Sequence, residues 1–146
     1  RRDGNRMSSS LVRQVAMAAE WSGADYQRAQ FQRTDLFRRI QGWFESADYL
    51  VTPTLSRTAL PIDQDLFEPI RIDGVEVGEL RRNWFPYTMP FNITGHPALT
   101  LCCGYGSESL PVGLQIVGRF RDDASVLRAA ALYEASENWL SHRPDL

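Results

Sequence analysis

Lysine is absent from this chain, and all sixteen of its basic residues are arginine. A guanidinium stays protonated in proteins, so any mechanism that needs a side-chain amine as general base or Schiff-base former is excluded for these residues acting alone. Histidine is scarce: only His96 and His142 occur, with no third soft ligand nearby, so neither zinc nor another cofactor is expected. Cysteine is confined to Cys102 and Cys103, whose adjacency would make a mutual disulfide a strained ring; the pattern fits a reducing cytoplasm. No apolar run approaches the roughly 20 residues of a membrane span, and Arg1-Arg2-Asp3-Gly4-Asn5-Arg6 leads into no hydrophobic signal core. Charge of one sign is also missing. Sixteen arginines against eighteen acids leave a net charge of −2 and no basic run, so neither nucleic acid nor a membrane is expected as a partner. The chain starts without methionine, which suggests a piece of something longer.

What is present is ordinary globular material, 146 residues of which 43% are hydrophobic, enough to bury a core as a single domain over residues 1–146. Ser8-Ser9-Ser10 offers a cap for a helix through Trp21, with Gly23 placed to end it. A second helix is predicted over residues 25–47, where Tyr26, Ala29, Leu36, Phe37, Ile40, Trp43 and Phe44 recur at the steps of one buried face. Arg33 falls inside that stripe; buried, it would need a carboxylate or several carbonyls, as an architectural ion pair or as a substrate contact.

Tyr49-Leu50-Val51-Thr52 reads as a buried strand emptying into a loop at Pro53. Ile70-Arg71-Ile72 and Val75-Glu76-Val77 flank Asp73-Gly74, a strong signal for a small peripheral hairpin. Residues 98–103 and 112–117 are strand candidates expected to pair antiparallel, and Asp122 and Asp123 should cap a last helix reaching about residue 140. Between Trp84 and Gly95, two prolines and four aromatics fix a segment too specifically for a mere connector; Thr88 could cap and Gly95 close a short helix there. That segment is either a pocket wall or a packed structural corner.

No self-sufficient catalytic set emerges. Ser8-Ser9-Ser10 lacks a neighbouring base, and the loop from Gly104 to Ser109 has neither the glycine spacing of a nucleophile elbow nor that of a dinucleotide loop. Cys102 or Cys103 with His96 could be offered as a thiol and imidazole pair, but alternation along a strand lets at most one cysteine share a side with the histidine. Small buried strand cysteines are the plainer reading.

Three segments taken together resemble the carboxyl-terminal part of the amidase signature family: Tyr49-Leu50-Val51-Thr52-Pro53-Thr54, then Pro90-Phe91-Asn92-Ile93-Thr94-Gly95-His96-Pro97-Ala98, then Leu110-Pro111-Val112-Gly113-Leu114-Gln115-Ile116-Val117-Gly118. Tyr26, Ala29 and Arg33 fit the long helix that precedes them in that family. The resemblance implies an α/β fold, a mixed β-sheet covered by α-helices, and hydrolysis of carboxamide C–N bonds through a serine nucleophile, a second serine and a lysine. An activated hydroxyl attacks, and preorganised donors hold the oxyanion. Those catalytic groups belong to the family sequence upstream of these motifs, so none is assigned here and the chain alone is expected to be inactive.

What the resemblance carries over is one wall of a pocket for a small amide substrate. Trp84, Phe85 and Tyr87 are expected to line its acyl side, with Asn92 fastening that wall by hydrogen bonds. The glutamine-hydrolysing subunit of the transfer-RNA amidotransferase is expected to carry a carboxylate near Phe85, whereas Trp84 and Phe85 suggest an aryl or alkyl amide. Alternatives are a non-catalytic binding or assembly module that retains the amidase tail, or part of that amidotransferase subunit. Strands cut from a larger sheet would expose apolar edges, from which a homodimer is expected.

Overall fold

The computed structural model describes residues 7–106 and 109–137, so the predictions that touch Ser107, Glu108 and His142 lie outside it. The chain divides into two compact units, residues 1–35 and 36–146.

In the first unit, helix α1 (Ser9–Ala18) is capped as its serines predict, the Leu11 N–H donating to Ser8 Oγ at 3.4 Å. It ends at Ala18, and Gly23 opens α2 (Gly23–Trp43) instead of closing α1. The reason is a reciprocal cap. The Asp25 N–H donates to Ser22 Oγ at 3.1 Å while the Ser22 N–H donates to the Asp25 carboxylate at 3.0 Å, satisfying two orphan donors at once. The Ser22 hydroxyl adds a bond of 2.6 Å, which with the backbone bond and Arg28 holds the Asp25 carboxyl below its usual range.

The apolar stripe of α2 is half right. Tyr26 and Ala29 are exposed, Arg33 is exposed, and burial begins only at Leu36, with Ile40 and Phe44 fully inside. Periodicity reports which residues share a face, not whether another element covers it.

In the second unit a three-stranded antiparallel sheet has the order β1 (Leu50–Pro53), β5 (Pro111–Val117), β4 (Ala98–Tyr105). The two expected strands pair as foreseen, Leu99 opposite Ile116 and Leu101 opposite Leu114. β1 is an outer strand, not a buried one: Val51 is 58% exposed, while Leu50 lies opposite Val117 and Thr52 opposite Gln115. Residues opposite one another share a face and successive residues alternate, so the sheet has two distinct surfaces. One carries Leu50 and Val117, packed with Ile40 of α2, Phe44 in the turn that follows it, and Phe91 of α4 (Met89–Thr94). The other carries Ile116 and Leu101, packed with Ala130 of α5 (Asp123–Ser136).

The Asp73-Gly74 hairpin forms as predicted between β2 (Pro69–Ile72) and β3 (Val75–Glu79), with φ of 49° and 78° at its two turn residues. Helix α3 (Leu80–Asn83) follows β3 and buries Leu80. Gly95 closes α4 at φ 73°, but Thr88 caps it without its side chain. The Thr88 hydroxyl instead donates to the Phe85 carbonyl at 3.2 Å. Asp122 caps α5 by accepting from the Ser125 N–H, and the helix ends at Ser136 because Glu137 is extended.

Candidate functional site

The sheet surface that carries Val117 turns polar toward the Pro53 end of β1. Gln115, 3% exposed, donates through Nε2 to Thr52 Oγ1 at 2.9 Å and to the Tyr87 carbonyl at 3.0 Å. One buried amide thus fastens the proline-bracketed segment to the two strands beneath it. Further out, the Thr54 hydroxyl donates to Thr100 Oγ1 at 3.2 Å and the Thr54 N–H to the Gly113 carbonyl at 2.8 Å. A Cβ on Gly113 would stand 2.8 Å from Thr54 Oγ1 and 3.1 Å from Thr100 Cγ2, so only glycine lets the two threonines meet over β5.

Above this floor opens an apolar cavity of about 510 Å³ between Pro53, Thr54, Leu55, the Trp84 indole, Thr100 and Pro111 to Gly113. Ser56 anchors Trp84: its N–H donates to the Trp84 carbonyl at 2.9 Å and its hydroxyl to the Asn83 carbonyl at 2.5 Å. The Trp84 ring stands 6.0 Å from that of Phe85. Its buried Nε1–H has no partner among the described residues. An unmet buried donor of this kind costs about 1–3 kcal/mol.

Of the four residues singled out from sequence, the structure brings Trp84 alone to this cavity. Phe85 is half-buried beside Trp84, Tyr87 is 39% exposed, and Asn92 is exposed on α4. No side-chain hydrogen bond joins Asn92 to the described residues; Gln115, Thr88 and Thr94 fasten the segment instead. Thr54, Ser56, Thr100 and Gly113 were missed. Thr54 and Gly113 stand within the recognised segments, but only strand pairing shows that they meet.

His96 is a core residue. Its ring, 5% exposed, lies 5.3 Å from Phe37 and 5.7 Å from Phe44, with Nδ1 2.9 Å from Thr94 Oγ1. Burial pushes its pKa below the usual value near 6.5. The cysteines do not join it: Cys102 Sγ contacts the Gly104 carbonyl at 3.4 Å and Cys103 Sγ the Val112 carbonyl at 3.5 Å. The irregularity in pairing between Cys102 and Gly104 breaks the simple alternation assumed for them. Among the described residues no group of three or more His, Cys, Asp or Glu side chains could hold a metal ion. No described helix is long and apolar enough to cross a membrane.

The chain is 38% identical over 90% of its length to a glutamyl-tRNA(Gln) amidotransferase subunit of Chloroflexus aggregans. It is 35% identical over 92% of its length to an acylamidase of Rhodococcus erythropolis. Its fold superposes on the crystal structure of a bacterial aryl acylamidase of the amidase signature family with a TM-score of 0.77 and 27% identity, covering 94% of this chain and 29% of that one. The chain spans only 25% and 28% of the two sequence relatives. The amidase family profile matches residues 5–127, and the chain belongs to the amidase family.

Proposed function

We propose that this chain forms one wall of the acyl pocket of a hydrolase that cleaves carboxamide C–N bonds. The observation that carries the reading is the apolar cavity bounded by Trp84, Thr54 and Gly113, inside a fold shared with amidases. Trp84 supplies a flat apolar surface, a match for an aryl or alkyl acyl group. Phe85 and Tyr87 extend this wall on the same segment, and Asn92 belongs to its far end. The nucleophile, the second serine and the lysine base come from family sequence outside these residues, since no lysine occurs here. The 146 residues alone are therefore inactive. The free thiols of Cys102 and Cys103 suit a reducing, cytoplasmic setting. Exposed Val51 on outer strand β1 suits further association, with the rest of an amidase fold or with a second copy.

The likeness to one component of an amidotransferase favours a second reading, glutamine hydrolysis within a larger assembly. Assays of the intact protein on acetanilides and on glutamine separate the two. We expect anilide hydrolysis, with Trp84→Ala raising KM at least several-fold; a strong preference for glutamine overturns the aryl-amide reading, and turnover by residues 1–146 alone overturns the division of labour.

A further inference from the structure

Beside the apolar cavity lies a second, polar one of about 440 Å³, and the two share Ser56, Arg57 and Thr58 as a common wall. The far side of the polar cavity is the hairpin turn, with Arg71, Asp73 and Gly74. Both arginines are held by backbone carbonyls, Arg57 Nη1 donating to the Arg71 carbonyl at 3.1 Å and Arg71 Nη1 to the Gly74 carbonyl at 3.0 Å. Each guanidinium carries five N–H donors, so these bonds fix the side chains and leave most donors unused. Neither arginine has a carboxylate within ion-pair distance among the described residues, in contrast to Arg28, Arg82 and Arg119. Asp73 contributes the one carboxylate on the wall, so the cavity keeps a net charge of about +1.

Arg57 and Arg71, each fixed by a backbone carbonyl and with no carboxylate at ion-pair distance among the described residues, offer their remaining donors to a carboxylate. From this geometry we infer that Arg57 and Arg71 bind a carboxylate at the distal end of the acyl group whose apolar part rests on Trp84. The preferred substrate is therefore an aryl or alkyl amide whose acyl group ends in a carboxylate, ahead of the neutral amide. The inference rests on the reading of the Trp84 cavity as the acyl pocket. The hairpin, which looks peripheral from sequence, becomes a specificity element: its turn holds Arg71 through the Gly74 carbonyl.

The test compares two substrates on the intact protein: the 4-nitroanilide of glutaric acid and the same anilide as its methyl ester. A charge-assisted hydrogen bond contributes about 1.5–3 kcal/mol, so kcat/KM should favour the free acid about tenfold to a hundredfold. Arg57→Gln and Arg71→Gln should each abolish the preference by lowering kcat/KM for the free acid toward that for the ester. Asp73→Asn, which removes the repelling carboxylate, should raise it. Equal kcat/KM for acid and ester, or a preference that survives both arginine variants, overturns the inference and leaves the amidase reading standing. Hydrolysis of neither substrate overturns the anilide reading of the Trp84 cavity instead. In that case glutarate itself, titrated against the protein by NMR, decides the anion site. Saturable shifts lost in Arg57→Gln support it, and their absence overturns it.

Discussion

Gly118 lies at the junction of sheet and helix, where its N–H donates to the Pro97 carbonyl at 2.9 Å and its residue is buried. A Cβ added there would overlap Val126 Cγ2 on α5 and approach the Asp122 carbonyl at 3.5 Å. Val126 is 3% exposed, and the cap at Asp122 fixes the first turn of its helix, so the methyl has little room to retreat. Overpacking of this kind costs about 1–3 kcal/mol. Gly→Ala also restricts the unfolded chain, a gain of about 0.4–1 kcal/mol that offsets part of the loss. Gly118→Ala should therefore destabilise by about 1–2 kcal/mol, read from the urea midpoint at unchanged m-value. Val126→Ala, which deletes two buried methyls, should cost about 1.5–3 kcal/mol by itself. In the double variant the new methyl occupies space that Val126 vacates, so the two costs should fail to add by at least 1 kcal/mol, as a rough bound for residues in contact. Strict additivity, or a Gly118→Ala protein as stable as its parent, would refute the claim that β5 meets α5 through this glycine.

Replacing Gln115 by leucine removes both bonds from its Nε2 and leaves the Tyr87 carbonyl unmet. We expect a loss of about 1–3 kcal/mol and faster amide hydrogen exchange over residues 84–88; protection there unchanged would mean that the segment is fastened by something else. His96 predicts a pH dependence. Its folded pKa lies below the unfolded value near 6.5, so the unfolded chain binds the proton more readily. Its contribution to stability is full above that value and is lost as pH falls from it toward the folded pKa. Thermal unfolding between pH 7.5 and 5 should show a downward slope with acid that is reduced in His96→Phe, and an equal slope in both would remove His96 as its source.

Much of the framework was legible along the chain because it is set by neighbours. The Asp73-Gly74 turn, the Gly95 closure of α4 and the Asp122 cap each follow from backbone preferences within a few residues. Two local readings went wrong for equally local reasons: Gly23 opens α2 because Ser22 and Asp25 cap each other, and Thr88 gives its hydroxyl to Phe85 rather than to its own helix. The stripe on α2 was visible as a pattern, yet whether Tyr26 or Ile40 is buried depends on what lies over it.

The candidate site divides in the same way. The aromatic, proline-bracketed run announced Trp84, because such a composition fixes a loop at a cost in chain entropy that a mere connector need not bear. Nothing along the chain joined Thr54 to Thr100, Gln115 to Tyr87, or Arg57 to Arg71, pairs separated by 46, 28 and 14 residues. Those contacts exist because β5 lies between β1 and β4, and because the hairpin folds back beside Ser56 to Thr58. The lack of lysine determined by itself that the family's base cannot come from these residues, since a guanidinium does not deprotonate. Where the arginines stand relative to a cavity was decided by tertiary packing, because the hairpin folded beside Ser56 to Thr58 brings together residues that sequence keeps apart.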